Sequence, residues 1–348
     1  MKTINKFLIA SIILSLAFGQ LLRFHFVSFL PPFYLHDLLL IIFLTINLPI
    51  LIHLPLTTFY KETFLFLISL LIFNPNQLLT FRIIVYFLSF LLLLRLKLDL
   101  NFFIKINQLA FALVALLGLW QFFFLPDLRI LASLGWDDHL NRLTFPYLDP
   151  NFTGIVLALG FFSFQDQSTW LSFLFLIPLA LTYSRSAWIS WFLTLIISSK
   201  RYLRLGLVFI ILSLIFLPRR FGEGNNLFRT YSIKSRLNND ALIFRRLLNN
   251  PLKGEFISKY HLIYSFNRAE TANNSFLFVW QIGGLVTLLT FMKLLFTILK
   301  RLTKPQLWIL VIVASFFNNV FFYPFILIWL LWITAFQFKA SSSTSTLS

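Results

Sequence analysis

The feature that most constrains this chain is the succession of apolar runs along almost its whole length. About twelve runs lie near 7–29, 33–52, 63–78, 80–95, 103–125, 152–164, 169–183, 187–199, 203–217, 274–297, 305–321 and 323–338. A helix that crosses a bilayer needs roughly 20 apolar residues, within a range of about 17–25. The spacing predicts an all-α, polytopic transmembrane bundle of about twelve spans. Composition points the same way. Of the 348 residues, 59% are hydrophobic and 12% charged, about half the charged share of a soluble domain. A soluble fold of this length needs a polar surface that such a chain cannot supply. The 46 phenylalanines read as lipid-facing bulk.

Some chemistries are excluded or unsupported. Cysteine is absent, which removes disulfides, thiolate metal sites and cysteine nucleophiles. His25, His36, His53, His139 and His261 show no helical metal-site spacing, and no HExxH, Walker or GxGxxG pattern occurs. No metal and no cofactor is expected.

The formal net charge of +17 asks for an explanation by placement. With the N-terminus inside, alternation puts Lys2, Lys6, Lys61, Arg95, Lys97, Lys105, Lys200, Arg201, Arg204, Lys293, Lys300, Arg301, Lys304 and Lys339 on the cytoplasmic side. The short outer connections hold only Arg23, Arg82, Arg129, Arg142 and Arg185. Fourteen against five is a positive-inside bias, and it predicts an even number of spans with both termini cytoplasmic. Residues 1–217 are expected to form nine spans with an outer loop at 126–151. A large extracytoplasmic loop at 218–272 follows, then three spans over 273–338 and a disordered cytoplasmic tail at 339–348. The first run reads as a span rather than a cleavable signal, because it is long and lacks a small-residue cleavage site.

The two outer loops draw attention because connections this long usually carry function. The segment 218–272 holds ten Lys/Arg and four Asp/Glu, a net +6. Its stretch 236–249 mixes Leu and Phe with Arg and Asn, which predicts a partly helical cap. Its charge is either a solvated basic loop near lipid headgroups or a site for a phosphorylated, lipid-borne substrate. Arginine suits the second role, since its planar fork grips two phosphate oxygens at once. Arg185, in Thr182-Tyr183-Ser184-Arg185-Ser186, sits at an outer membrane boundary. There it either snorkels or binds an anion. Arg142 precedes Asp149-Pro150-Asn151, itself a good turn and helix-entry signal.

Together these pieces resemble the O-antigen ligase and O-antigen polymerase superfamily of bacterial envelope enzymes. The resemblance rests on Asp37 in His36-Asp37-Leu38-Leu39-Leu40, on Arg142 with Asp149-Pro150-Asn151, and on Thr182 to Trp188. It also rests on Arg236 with Asn250-Pro251-Leu252-Lys253-Gly254, and on Asn273-Asn274-Ser275-Phe276-Leu277 with Gly284 and Thr287. It covers residues 110–300 by motif and the rest by run count. It implies transfer of a glycan from an undecaprenyl-diphosphate carrier to a glycan or lipid acceptor, at the outer face of the cytoplasmic membrane. Metal and nucleotide sugar are not required, and no nucleic acid takes part. It further implies that Arg185 and Arg236 hold the carrier diphosphate, with Arg142, Asn151 and Asn274 as further substrate-binding positions.

The chain departs from the ligase pattern at one position. Asn273 stands where that pattern has a histidine thought to help deprotonate the acceptor, and asparagine cannot take up a proton near neutral pH. Glu270, three residues earlier, is the expected base if the helix begins early enough to put both on one face. His139 and His261 are the other outer-side candidates, and Asn273 is left to orient the hydroxyl. Two other readings remain open: a transporter or flippase of a lipid-linked or anionic solute, and a non-catalytic family member. Transporters usually place polar groups near the bilayer midplane, whereas here they cluster at the ends of the runs.

Overall fold

The computed structural model describes residues 2–24, 32–53, 58–97, 99–134, 136–165, 169–198, 200–217, 226–227, 230–255 and 271–344. The fold is all-α, 78% helical. Among the described residues, sheet is confined to a two-residue antiparallel pair, β1 (Arg23–Phe24) and β2 (Phe33–Tyr34).

The helices are α1 (Lys2–Phe18), α2 (Leu35–Ile46), α3 (Leu48–Ile52), α4 (Thr58–Phe73), α5 (Gln77–Arg95), α6 (Leu100–Phe124), α7 (Pro150–Gln165), α8 (Thr169–Phe173), α9 (Leu176–Leu181), α10 (Arg185–Ser198), α11 (Lys200–Phe216), α12 (Tyr231–Asn249), α13 (Ser275–Arg301), α14 (Gln306–Ser315) and α15 (Pro324–Thr344). Every apolar run carries a helix or a broken pair of helices. Length separates them. Among the described residues, four segments are long and apolar enough to cross a membrane: Thr3–Leu22, Gln77–Arg95, Leu100–Phe124 and Ser275–Arg301. Twelve spans are therefore not supported on helix length. Several runs are divided or shortened, as where Pro49 lies in the first turn of α3 and Pro178 in the short α9. The tail differs as well, because α15 continues to Thr344, inside the segment expected to be disordered.

α13 packs along α4, α15 along α5, and α1 against α2 and α6; α10 lies between α7 and α14. Polar pairs join the helices where apolar packing alone gives no register. Asn5 and Asn47 exchange amide hydrogen bonds at 2.9 Å. The indoles of Trp329 and Trp332 donate to Asn107 and Ser89, both at 3.0 Å. Phenylalanine does not sort wholly to the outside: Phe7, Phe123 and Phe296 are exposed, while Phe43, Phe66, Phe90 and Phe111 are fully buried. The buried rings interlock, as in the edge-on contact of Phe66 with Phe87 at 5.4 Å, and large aromatics contribute much of a core's contact area.

Two of the sequence motifs meet in a break of α13. Gly284 has φ 73° and ψ 177° inside the helix, a conformation open essentially to glycine alone. The break frees backbone groups that the 250–255 turn takes up. Leu285 N–H donates to Pro251 O at 2.8 Å and Glu255 N–H donates to Gln281 O at 2.7 Å, while Gly254 N–H donates to Phe73 O at the end of α4, at 3.2 Å. A Cβ on Gly284 would lie 2.2 Å from Leu252 O, and one on Gly254 would lie 2.0 Å from Ile282 O. The turn after α12 is thereby seated on α13, which sets where α12 lies.

Candidate active site

One end of the bundle gathers the 142–151 segment, the 182–184 turn, α12 and the start of α13. Two residues there have left-handed backbone without being glycine: Leu148 (φ 56°) and Tyr183 (φ 51°). Such strain costs about 1–3 kcal/mol and persists only where surroundings enforce it. Tyr183 precedes Ser184-Arg185, and Leu148 precedes Asp149-Pro150-Asn151, so both aim a motif.

Arg142 enforces the first of these turns. It is buried. Its guanidinium donates to Thr182 O at 3.1 Å and to Tyr183 O at 3.3 Å. Gln121 in turn donates to Arg142 O and accepts from Thr144 N–H. Arg142, expected among the substrate-binding positions, thus directs these donors into the fold.

Asn151 also lies inside a network. Its Oδ1 accepts from Ser184 Oγ at 2.9 Å and Ser186 Oγ at 3.3 Å. Ser186 Oγ accepts from Asn318 Nδ2 at 2.9 Å, and Ser275 Oγ donates to Asn318 O. The starts of α7, α10 and α13 are joined this way. Asp149 Oδ1 accepts from the N–H groups of Asn151 and Phe152 at 2.6 and 3.2 Å, holding the first turn of α7 as an N-cap does. Asn274 caps α13 by accepting from Phe276 N–H and Leu277 N–H, while its Nδ2 donates to Phe316 O.

Arg185 reaches α12, the helix that carries Arg236. Arg185, at the start of α10, donates to Leu227 O and Ser232 Oγ, both at 3.1 Å. Arg236, on α12, bears electrostatically on it. Arg236 donates to Phe317 O at 3.2 Å and interacts with both Asp149 and Asp240. Both arginines are partly exposed. Burial pushes the Arg236 guanidinium below its usual value, opposed by those two carboxylates.

Asn273 is held by Asp240. Asp240 Oδ1 accepts from Asn273 N–H at 2.8 Å and from its Nδ2 at 3.4 Å. Burial raises the Asp240 carboxyl above the usual carboxylate range, against the Asn273 hydrogen bonds and the Arg236 charge. Sequence reading missed Asp240. A signal was present: it is the only acid in α12 and lies one turn from Arg236, where i and i+4 side chains share a face. Glu270 and His261 lie outside the described residues. His139 is buried, and its carbonyl accepts from Leu128 N–H.

A second buried cluster surrounds Asp37. Its carboxylate accepts from Tyr86 Oη at 2.6 Å and Tyr34 N–H at 3.1 Å, and pairs with Arg82 at 3.1 Å. Among the described residues, no group of three His, Asp or Glu converges as a metal-binding set. The site as described is thus two arginines, flanked by two carboxylates, carried by the starts of α7 and α10 and by α12. It suits an anion with several oxygens beside a group that exchanges a proton. Compared with known proteins, the chain matches no family model and no curated protein.

Proposed function

We propose that the chain is a membrane glycosyltransferase of the O-antigen ligase and polymerase type, in the cell membrane as a multi-pass protein with about twelve crossings. The cap end of the bundle then faces outward and both termini face the cytoplasm. The donor is a glycan on undecaprenyl diphosphate, and the acceptor is a glycan or lipid hydroxyl. The observation that carries this reading is the hydrogen bond from Arg185, at the start of α10, to Ser232 on α12, one helical turn before Arg236, whose charge bears on Arg185.

Two guanidiniums brought together in a folded protein repel each other, so an anion that fits between them is favoured. A diphosphate offers several oxygens, and arginine binds such oxygens bidentately. In the reaction, the acceptor oxygen bonds to the anomeric carbon. The bond from that carbon to the diphosphate oxygen breaks, and its electron pair leaves with the diphosphate. Fixed positive charge aimed at the leaving group lowers the barrier without a metal. Tying Asn151, Ser184, Ser186 and Asn318 together holds Arg185 in place before substrate arrives, which favours reaction through orientation. The long apolar helices suit a lipid-borne donor, whose prenyl chain stays in the bilayer.

The test is transfer or lengthening of a lipid-linked glycan by the purified protein in proteoliposomes. Product that depends on both Arg185 and Arg236 supports the reading. Movement of the lipid-linked glycan across the bilayer with no new glycosidic bond would replace it with a flippase.

A further inference from the structure

Resting on the transferase reading, we propose that Asp240 is the general base that takes the acceptor proton, in the place left open by Asn273.

The placement argues for it. Asp240 accepts both the backbone and the side-chain N–H of Asn273 through one oxygen, at 2.8 and 3.4 Å. A carboxylate from α12 therefore stands at the first residues leading into α13, beside Asn273, which cannot itself take up a proton. The Asn274 backbone N–H also acts on it. One helical turn away, Arg236 interacts with Asp240 and with Asp149 at the start of α7, and Arg236 bears on Arg185. The carboxylate and the two arginines thus border one site, in which an acceptor hydroxyl and a donor diphosphate can lie on opposite sides of the same anomeric carbon.

Asp240 is half-buried, so a hydroxyl can reach it while bulk water is restricted. Its raised carboxyl is a stronger base than a surface aspartate, and base strength nearer the working pH favours proton transfer. The step balances. The acceptor O–H proton passes to the Asp240 carboxylate as the oxygen bonds to the anomeric carbon, and the diphosphate departs with the bonding pair between Arg185 and Arg236. The Asn273 hydrogen bonds hold the carboxylate in place through the step. Solvent removes the proton afterwards.

The experiment measures transfer by the full-length protein in proteoliposomes across pH, for the parent and for Asp240→Asn, Asp240→Glu and Glu270→Gln. Asp240→Asn is expected to lower kcat at least about a hundredfold, within the usual range for a general base, with the donor KM changed less than about threefold. The parent rate should rise with pH through a value above the ordinary carboxylate range, and this limb should vanish in Asp240→Asn. Loss of the pH limb in Glu270→Gln, with the limb kept in Asp240→Asn, would overturn Asp240 in favour of Glu270. Where Asp240→Asn fails to fold, Asp240→Glu decides: a reduced rate that keeps the limb supports the base. A parent-like rate in Asp240→Asn, or a lowered rate with the limb unchanged, overturns Asp240 as base and leaves the transferase standing. No transfer by the parent overturns the transferase reading itself.

Discussion

The Arg142 guanidinium donates to the carbonyl of Tyr183 at 3.3 Å, and Tyr183 is the left-handed residue on which the following Ser184-Arg185 depends for its direction. A buried arginine in one motif thus holds a strained turn in the next. Arg142→Met should therefore act on the turn, leaving two buried carbonyls without these donors. Each such loss costs about 1–3 kcal/mol. Thermal unfolding in detergent should show a clear drop in Tm, with lower transfer per folded molecule. An unchanged Tm would mean that Arg142 does not brace the turn.

Gly284→Ala and Gly254→Ala should both be strongly destabilising. The added Cβ meets backbone at 2.2 Å in the first case and 2.0 Å in the second, and backbone cannot move aside as a side-chain tip can. At Gly284 the positive φ adds strain of about 1–2 kcal/mol. Limited proteolysis should then cut near residues 250–255 faster than in the parent. A parent-like pattern in both variants would show that the turn is not seated on α13.

Arg185→Lys and Arg236→Lys should each reduce transfer at least about tenfold. A lysine keeps the charge but replaces a planar fork with a point donor. Arg185 also bridges Leu227 O and Ser232 Oγ, a geometry a single ammonium reproduces poorly. Full activity in both lysine variants would remove the diphosphate-binding role.

Tyr86→Phe should lower stability by about 1.5–3 kcal/mol, the scale for a hydrogen bond to a charged group. The hydroxyl donates to Asp37 at 2.6 Å in a buried setting that also holds Arg82. Transfer per folded molecule should be little changed, because the groups that hold Asp37 are Tyr34, Tyr86 and Arg82 rather than the two arginines. Denaturant titration alongside the transfer assay checks both parts, and a stable but inactive variant would move Asp37 into the catalytic account.

Leu248→Cys gives a direct test of orientation. The chain has no cysteine of its own, so one introduced thiol is the only reactive site, and Leu248 on α12 is exposed. A membrane-impermeant thiol reagent should label it in cells whose cytoplasmic membrane is intact. Labelling only after that membrane is opened would invert the proposed topology.

Much of this architecture is legible from local pattern. Apolar runs dictate helices because a buried or lipid-facing backbone must satisfy its own hydrogen bonds, and helices occupy the runs. Polar residues at run ends also mark real structure: Asp149 was readable as part of a helix entry and holds the first turn of α7, whereas Asn274, expected as a substrate-binding position, caps α13. The 236–249 stretch lies within α12. Helix length was less legible. Run boundaries do not show where a chain divides a run into short pieces, as at α8 and α9.

The sequence by itself determined that the chain is helical and apolar, and which short segments carry the polar chemistry. Only the tertiary structure decided which of those residues face one another. Arg142 and Arg185 are alike as letters, yet one is buried against the 182–183 carbonyls and the other lies beside Arg236. Asp240 gained its meaning from Asn273, 33 residues away. Local periodicity records the face of one helix and carries no information about its partner. The approach of α12 to α13 is set by the 250–255 turn seated at Gly284, a contact between segments distant in sequence that exists only once the helices have packed.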